Sequence, residues 1–328
     1  MSAIAVLGGG AWGTALAQTV AAGGEDVLLW AREADVVEAI NGAHENRLFL
    51  PDVPLSTRIS ATGDMAALAA CDLWLVVVPA QHLRSALAAA PIAHRPTLIL
   101  CSKGIEAGTL ELMSEVAAGV APDCPVAVLS GPSFAAEVAA GKPTAVTLAA
   151  GDVAAATALV ERLARPAFRP YASDDIIGCE IGGAVKNVLA IACGVVIGAK
   201  LGENARAAII ARGFAEMTRF GLARGARAET LAGLAGLGDL VLTCGSPQSR
   251  NMSLGMALGE GQTADRALSG KLSVAEGAAT APVLAQAALA AGVDMPIAAA
   301  VADLLAGRAS VGEVTARLLS RPLKSEAV

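Results

Sequence analysis

The segment IAVLGGGAWGTALAQTVA, residues 4–21, decides the fold of the first half of the chain. Its apolar start, Ile4–Leu7, predicts a buried strand, and Thr14–Ala21 predicts a helix without a breaker. Between them, residues 8–13 have the pattern G-x-G-x-x-G. Glycines there allow a tight turn and a close approach of the backbone to a pyrophosphate, whose charge the helix N-terminus favours. This strand–turn–helix order predicts a dinucleotide-binding turn.

The rest of the first half alternates short apolar runs with Ala-rich helical stretches. The predicted strands are Ile4–Gly8, Asp26–Trp30, Leu73–Val78, Thr97–Ser102, Val126–Ser130 and Thr144–Ala149. Several are continuous apolar runs, as expected for strands that are covered on both faces. The alternation of strand and helix predicts an α/β Rossmann-type domain with a parallel, doubly wound sheet.

After about Ile176 the alternation ends and long stretches with helical periodicity follow. The predicted helices are Gly182–Gly198, Asn204–Arg224, Pro247–Leu258, Val274–Ala291 and Ile297–Ala306. We therefore expect two domains, a dinucleotide-binding Rossmann domain at residues 1–178 and an all-α domain at residues 179–328.

Composition and charge exclude several classes of protein. Of the 328 residues, 30 are acidic and 24 are basic, so the net charge of −6 leaves no footprint for binding nucleic acid. The longest apolar run, Val188–Ala199, is well short of the roughly 18–20 residues of a membrane-spanning helix. We expect a protein that does not bind nucleic acid and is not integral to a membrane.

Cysteine and histidine usage argues against a metal centre. The six cysteines form no C-x-x-C pair and lie mostly in apolar runs, which is typical of reduced, buried thiols in a cytoplasmic protein. The three histidines, His44, His82 and His94, share no metal-ligand spacing. Any chemistry must therefore use other residues.

The end of the second predicted strand bears on the choice of cofactor. NAD-binding Rossmann units usually place a carboxylate there to bind the ribose hydroxyls. Here Arg32 follows the strand and Glu33 comes slightly late. A basic residue suits a 2′-phosphate, so we expect NADP or NAD as cofactor, with NADPH favoured. The alternative is that Arg32 is a solvated residue that opens a helix.

Polar clusters in the apolar background mark a candidate site. The clearest is Lys186 followed by Asn187, within an otherwise apolar helical stretch. A buried lysine must find a partner or lower its pKa. Alternatively, it extends its ammonium group from the end of a helix into solvent. Four further clusters accompany this pair, which favours a shared site. They are CSKGIE (101–106), LSGPSFAAE (129–137), GLGDLVLTC (236–244) and QSRN (248–251).

With these motifs in order, the chain resembles the bacterial soluble NAD(P)-dependent glycerol-3-phosphate dehydrogenases over nearly its whole length. The motifs are GGGAWGTALA (8–17), LFLPDVPL (48–55), SKG (102–104), SGPSFAAE (130–137), GGAVKNVLAIACG (182–194), GLGDLVLTC and QSRN. The resemblance implies reduction of dihydroxyacetone phosphate to sn-glycerol 3-phosphate, the backbone precursor of glycerophospholipids. It also implies a homodimer in the cytoplasm.

The resemblance, together with the residue types, predicts that the helical domain at residues 179–328 is the substrate-binding and catalytic domain, and it predicts roles for individual residues. The catalytic residues are Lys186, Lys103, Asp239 and Asn187. The substrate contacts are Lys103, Gly131, Ser133, Lys186, Asp239, Thr243, Ser249, Arg250 and Asn251. The cofactor contacts are Gly8, Gly10, Ala11, Trp12, Gly13, Arg32, Lys103, Ala135, Arg250, Val274 and Glu276. Ala11 departs from the serine often found there, which removes a possible hydroxyl contact to phosphate.

The residue types suit this chemistry. Ketone reduction leaves negative charge on oxygen, and a lysine such as Lys186 both stabilises that charge and donates a proton if its pKa approaches neutrality. Arg250 suits a substrate phosphate through its planar fork. No metal is required.

Two alternatives remain open. One is a β-hydroxyacid or ketopantoate-type dehydrogenase of the same architecture, although the β-hydroxyacid group pairs its lysine with an asparagine one helical turn later. The other is a non-enzymatic NADP-binding redox sensor, which would not need Lys103, Lys186, Asp239 and Arg250 together.

Overall fold

The computed structural model describes residues 4–269 and 275–322 and divides into two compact units. The first unit, called the sheet unit, comprises the residues up to Ser102 and Met113–Ile176. The second, called the helical unit, comprises Lys103–Leu112 and the residues from Ile177 onwards. The short segment Lys103–Leu112 thus belongs to the helical unit, although it precedes the second segment of the sheet unit in sequence. The single predicted boundary at residue 178 does not include this segment.

The sheet unit is built on eight strands within the described residues, in the order β3-β2-β1-β4-β5-β6-β7-β8. They are β1 (Ile4–Leu7), β2 (Val27–Trp30), β3 (Ile59–Thr62), β4 (Leu73–Val76), β5 (Thr97–Leu100), β6 (Val126–Ser130), β7 (Thr144–Ala150) and β8 (Phe168–Ser173). From β1 the chain adds β2 and β3 on one side and then returns to add β4 on the other side of β1. Open α/β sheets bind ligands at the point where the strand order switches in this way, here between β1 and β4.

The Rossmann-type fold is confirmed, with two differences in the sheet. β7 runs antiparallel to β6, while the other neighbouring strands are parallel. The sequence does not predict β3 and β8, which lie at the two edges of the sheet. β3 alternates buried and exposed residues, and β8 contains Pro170, which edge strands tolerate. Neither strand has the continuous apolar run that marks its buried neighbours.

Helices cover the sheet, and its core consists of aliphatic side chains from both. The α-helices of the sheet unit are α1 (Ala11–Ala22), α2 (Ala34–Ala43), α3 (Leu83–Ala89), α4 (Met113–Val120), α5 (Ala135–Ala139) and α6 (Val153–Leu163). Single 3-10 turns occur at Met65–Ala70, Ala80–His82 and Ile92–His94. The core runs through β1, β2 and the inner face of α1.

The described residues of the helical unit from Ile177 onwards contain helices but no strand, which confirms the all-α prediction. The helices are α7 (Ile176–Gly198), α8 (Glu203–Ala223), α9 (Ala228–Ala232), α10 (Asp239–Gly245), α11 (Arg250–Gly259), α12 (Ala264–Leu268), α13 (Glu276–Ala290), α14 (Pro296–Leu305) and α15 (Val311–Leu319). A π-helical turn at Leu234–Gly238 runs directly into α10.

Helix α7 forms the centre of the helical unit. It is long and apolar enough to cross a membrane by length and composition alone, but 83% of its most apolar window is buried inside the protein. Neighbouring helices approach it closely at glycines. A Cβ on Gly194 would lie 2.1 Å from the carbonyl oxygen of Met252 in α11, and one on Gly255 would lie 2.0 Å from that of Ile191. The apolar character of α7 therefore serves internal packing.

Candidate active site

The glycine turn between β1 and α1 adopts a shape that only glycine permits at three positions. Gly8 has φ +132°, and a Cβ there would lie 2.9 Å from the carbonyl oxygen of Val77. A Cβ on Gly9 would lie 2.5 Å from that of Ala31, and one on Gly13 would lie 1.9 Å from the carbonyl oxygen of Gly8. The turn is thus packed tightly against the first residues beyond β2 and β4.

The open side of this turn fits a dinucleotide pyrophosphate. Around Gly10, the N-cap of α1, a Cβ would meet no protein atom within 4 Å. The first N–H groups of a helix have no acceptor within it, and the first turn of α1 contains no acidic side chain. The backbone donors of Ala11 and Trp12 and the positive end of the helix dipole therefore lie at the start of α1, where an anion is favoured.

Arg32 is the second residue after the end of β2 and is largely exposed. Its guanidinium donates to Oε1 of Glu33, from Nε at 3.2 Å and from Nη2 at 2.8 Å. The side chain of Arg32 is 82% exposed and that of Glu33 30%. The arginine and the late carboxylate of the sequence therefore form one ion pair beyond the strand end.

The predicted contacts of segment 129–137 lie in the turn that follows β6. Gly131 has φ +150°, and a Cβ there would lie 2.8 Å from Cα of Val146 on β7. Ser133 donates its hydroxyl to the carbonyl oxygen of Gly131 at 3.0 Å, and Ala135 begins α5. The serine thereby stabilises the turn itself.

In the helical unit, two lysines bind the two oxygens of one buried carboxylate. Nζ of Lys103 lies 2.6 Å from Oδ2 of Asp239, and Nζ of Lys186 lies 2.8 Å from Oδ1. Lys186 also donates to Oγ1 of Thr243 at 3.0 Å, and that hydroxyl lies 3.2 Å from Oδ1 of Asp239. The side chain of Asp239 is 1% exposed. We call these four residues the lysine–aspartate cluster.

The electrostatics of this cluster move two pKa values. The pKa of Lys186 is lowered to about 8, chiefly because burial disfavours its charged form; Asp239 raises it, and the Lys103 ammonium lowers it. Burial alone would raise the pKa of Asp239, but the two ammonium groups outweigh burial and hold it below its usual value. The carboxylate stays charged, while Lys186 can release its proton near neutral pH.

The π-helical turn docks Asp239 against α7. A Cβ on Gly182 of α7 would lie 2.4 Å from the carbonyl oxygen of Ala235, and one on Gly236 would lie 1.9 Å from that of Leu231. Gly182 stands four residues before Lys186, so both lie on one face of α7. Close contact at the glycines therefore brings Asp239, at the end of the π turn, within reach of Lys186.

A chain of amide hydrogen bonds lies beside the cluster in sequence. The backbone N–H of Gly277 donates to Oδ1 of Asn251 at 3.0 Å, and Nδ2 of Asn251 donates to Oδ1 of Asn187 at 2.9 Å. A backbone N–H can only donate, so it fixes the orientation of both amides. Asn187 thereby keeps its Nδ2 donor for a further partner, while both ends of the Asn251 amide are engaged.

The residues that are predicted to bind the substrate phosphate lie at the start of α11. Ser249 is the N-cap and accepts a hydrogen bond from the N–H of Met252 at 3.3 Å. Arg250 is the first helical residue and is exposed, and Asn251 follows it, buried. A helix N-terminus favours an anion, and Arg250 adds a full positive charge there.

The structure describes one of the two remaining predicted cofactor contacts. Glu276 is the first residue of α13, and Val274 lies outside the described residues. Among the described residues, no group of three or more His, Cys, Asp or Glu side chains could hold a metal ion. All six cysteines are buried.

Sequence reasoning does not predict that Lys103 belongs to the helical unit. Within the segment Lys103–Leu112, Ile105 and Leu112 are 0% and 1% exposed and form part of the core around α7. The sequence does show these two residues as apolar positions within a polar loop. Two such residues, without periodicity, do not indicate where they pack.

The chain matches two known protein families. The family described as NAD-dependent glycerol-3-phosphate dehydrogenase N-terminus matches residues 3–156. The C-terminus family of the same enzyme matches residues 175–316. Together the two matches cover most of the chain.

Individual relatives agree with these matches. The chain is 61% identical to glycerol-3-phosphate dehydrogenase (NAD(P)+) 1 of Sphingopyxis alaskensis over 321 residues, which is 98% of this chain and 97% of the relative. It is 59% identical to glycerol-3-phosphate dehydrogenase (NAD(P)+) of Caulobacter vibrioides over 328 residues, 99% and 98% of the two chains. The crystal structure of glycerol-3-phosphate dehydrogenase from Coxiella burnetii superposes with a TM-score of 0.92 at 40% identity, covering 98% of this chain and 99% of that one.

Proposed function

The chain belongs to the NAD-dependent glycerol-3-phosphate dehydrogenase family, and we propose that its lysine–aspartate cluster is the centre at which dihydroxyacetone phosphate is reduced to sn-glycerol 3-phosphate. When bound, NAD(P)H supplies the hydride. The observation that carries the proposal is the pair of lysines on one buried carboxylate, one of them with a pKa of about 8.

Lys186 donates the proton that completes the reduction. Negative charge develops on the carbonyl oxygen as carbon is reduced, and an ammonium group stabilises that charge. A pKa of about 8 lets Lys186 hold a proton at neutral pH and yet release it readily. In the reverse direction, neutral Lys186 accepts the hydroxyl proton of sn-glycerol 3-phosphate.

Asp239, Lys103 and Thr243 keep Lys186 in position and set its charge. Asp239 balances one of the two ammonium charges, so the cluster retains a net positive charge for the substrate oxygen. Lys103 lowers the pKa of Lys186 by repulsion, and Thr243 fixes the direction of its Nζ. Asn187 offers its Nδ2 donor to the substrate.

Arg250 binds the substrate phosphate at the start of α11. Its exposed guanidinium stands at a helix N-terminus, where the dipole also favours an anion. Ser249 and Asn251 already bond backbone and amide groups, which leaves the arginine as the main charged donor. Gly131 and Ser133 remain proposed substrate contacts.

The glycine turn binds the pyrophosphate of the cofactor, and Arg32 accommodates NADP as well as NAD. A 2′-phosphate would compete with Glu33 for the Arg32 guanidinium, whereas a free ribose hydroxyl leaves that ion pair intact. Replacing Arg32 by Ala should therefore raise KM for NADPH and leave KM for NADH unchanged. Equal effects on both would remove Arg32 from cofactor recognition.

The proposed function is tested by turnover of two ketones, followed through the loss of NADH or NADPH absorbance. We expect turnover of dihydroxyacetone phosphate and much slower turnover of unphosphorylated dihydroxyacetone. Arg250→Lys should lower kcat/KM for the phosphorylated ketone by about 10–150-fold and leave kcat/KM for the other ketone nearly unchanged. This loss corresponds to about 1.5–3 kcal/mol, the scale of a hydrogen bond to a charged group. Arg212→Lys, on the exposed face of α8, is the matched control. Equal losses for both ketones would contradict a phosphate contact.

We propose that the protein works in the cytoplasm as a homodimer. Six buried cysteines support a reducing compartment and therefore the cytoplasm. A homodimer is implied by the resemblance, and light scattering of the purified protein in solution would test it.

A further inference from the structure

Asn46 is a buried amide directly behind the glycine turn. It lies in the loop between α2 and β3, and its side chain is 0% exposed. Its Nδ2 donates to the carbonyl oxygen of Gly9 at 2.9 Å and to Oγ1 of Thr14 at 2.8 Å. Its Oδ1 accepts from the backbone N–H of Phe49 at 3.2 Å. One side chain therefore joins the loop to both sides of the turn.

The orientation of this amide is fixed by backbone groups at both ends. The N–H of Phe49 can only donate, and the carbonyl of Gly9 can only accept. Oδ1 of Asn46 must therefore face Phe49, and Nδ2 must face Gly9. Asn46 is consequently an obligatory donor to the glycine turn.

Holding the carbonyl of Gly9 decides the direction of a neighbouring donor. In a planar trans peptide the C=O and the following N–H point in opposite directions. The carbonyl of Gly9 faces Asn46, so the N–H of Gly10 faces away from it. This peptide joins two glycines, whose backbones have the greatest conformational freedom. Without an anchor, the Gly9–Gly10 peptide could rotate and turn this donor elsewhere.

We propose that Asn46 is a positioning residue for cofactor binding, which holds the Gly10 N–H toward the dinucleotide pyrophosphate. Thr14 assists, since its Oγ1 receives the second N–H of the Asn46 amide and lies 3.4 Å from the carbonyl oxygen of Gly9. The inference rests on the proposed function only in that the turn binds a nicotinamide dinucleotide.

The positioning role of Asn46 also gives a function to the motif at residues 48–55, which follows it in sequence and contributes no residue to the proposed active site. The backbone carbonyl of Asn46 accepts from the N–H of Leu50 at 2.8 Å, and Leu50 is 3% exposed in the core of the sheet unit. The N–H of Ser56 donates to Oε1 of Gln18 on α1 at 2.8 Å. The segment is therefore fixed to both the core and α1, and it holds Asn46 rigidly behind the turn.

The test is the isosteric substitution Asn46→Asp. A carboxylate cannot donate to Gly9 and repels its carbonyl oxygen. We expect the Kd for NADH and for NADPH, measured by fluorescence titration, to rise about 10–100-fold, the range for a hydrogen bond to a charged group. At saturating cofactor, kcat and KM for dihydroxyacetone phosphate should stay near the wild-type values. A general distortion of the fold would not separate these quantities.

Asn41→Asp is the matched control. Asn41 lies in the same unit, and its amide likewise bridges backbone groups, donating to the carbonyl of Ala61 at 2.9 Å and accepting from its N–H at 2.8 Å. Its partner is on β3, not on the glycine turn. Cofactor affinity in Asn41→Asp should therefore stay close to that of the wild type.

A second pair of variants tests the same role of Asn46 if Asn46→Asp does not fold. Thr14→Val removes the hydroxyl at nearly constant volume, and Thr14→Ser keeps it. We expect several-fold weaker cofactor binding for Val only. Wild-type affinity in Asn46→Asp, an equal loss in Asn41→Asp, or equal binding by both Thr14 variants would overturn the proposal. Failure of the wild-type protein to bind either cofactor would instead overturn the proposed function.

Discussion

Asp239 and Glu216 are both buried carboxylates of the helical unit, and their pKa values move in opposite directions. Glu216, on α8, accepts hydrogen bonds from the backbone N–H groups of Ile297 and Ala298 at the start of α14, at 2.8 and 3.2 Å. Burial raises the pKa of Glu216 to about 7 despite these bonds. At Asp239, two ammonium groups more than compensate for burial, and the pKa falls.

The difference separates a carboxylate that caps a helix from the carboxylate of the proposed active site. Two neutral N–H dipoles satisfy Glu216 as a cap of α14 but do not offset the cost of burying its charge. Two full charges do so at Asp239, and the cluster then contains more positive than negative charge. That surplus cation is what a developing alkoxide requires. Burial of a carboxylate alone therefore does not mark an active site in this fold.

The largest effect is expected from Lys186→Met, which removes the proposed proton donor and keeps the length of the side chain. Turnover of dihydroxyacetone phosphate should fall by about 10²–10⁴-fold, the usual contribution of a general acid. Binding of NADH, measured by fluorescence, should persist because the glycine turn is unchanged. Lys142→Met, at an exposed lysine of the sheet unit, is the control. Near-native turnover in Lys186→Met would remove this lysine from the mechanism.

Asp239→Asn compared with Asp303→Asn tests burial against exposure for a carboxylate between two cations. Asp303 pairs with Arg317 at 2.6 Å and Arg308 at 3.0 Å, but at the surface of the helical unit. We expect Asp239→Asn to lower the free energy of unfolding by about 3–5 kcal/mol, because two lysines lose their buried counter-charge. Asp303→Asn should cost about 0.2–1 kcal/mol. Urea denaturation of both variants measures this, and similar losses would show that burial makes no difference.

Glu216→Gln tests the other carboxylate through its pH dependence. With a folded pKa of about 7 and an ordinary value near 4.5, Glu216 binds more protons in the folded state between these values. Its contribution to stability is therefore complete below about pH 4.5 and is lost as pH rises through about 7, by about 3 kcal/mol in all.

Replacement by Gln removes this titration, so the free energy of unfolding should decline less steeply from pH 5 to 8 than in the wild type, although one N–H of α14 loses its acceptor. Glu260→Gln, at an exposed glutamate, should retain the wild-type slope. An unchanged slope in Glu216→Gln would mean that burial does not shift this carboxylate.

The sequence predicts the sheet and the glycine turn well because their signals are local. Buried parallel strands appear as continuous apolar runs, and the turn residues are required by their own backbone. The edge strands β3 and β8 lack that signal, since their polar residues face solvent. The antiparallel direction of β7 depends on the connection from β6 and not on its own composition.

The residues of the proposed site can be named from the sequence, but their geometry cannot. Lys186 stands out because a lysine in an apolar helix needs a partner, yet nothing local identifies that partner as Asp239. The pairing depends on the contact between Gly182 and the π turn, which is a property of helix packing. Asn46 gives no signal at all, because an asparagine in a loop is ordinary until its burial is known.

The most direct test of the central claim is the pH dependence of kcat/KM for dihydroxyacetone phosphate at saturating NADH. In the proposed mechanism reduction requires protonated Lys186, so kcat/KM should be constant at lower pH and fall tenfold per unit above an apparent pKa of about 8. Lys103→Met removes a neighbouring cation that lowers this pKa, so its falling limb should move to higher pH. A limb that is absent near pH 8, or that stays in place in Lys103→Met, would contradict proton donation by Lys186.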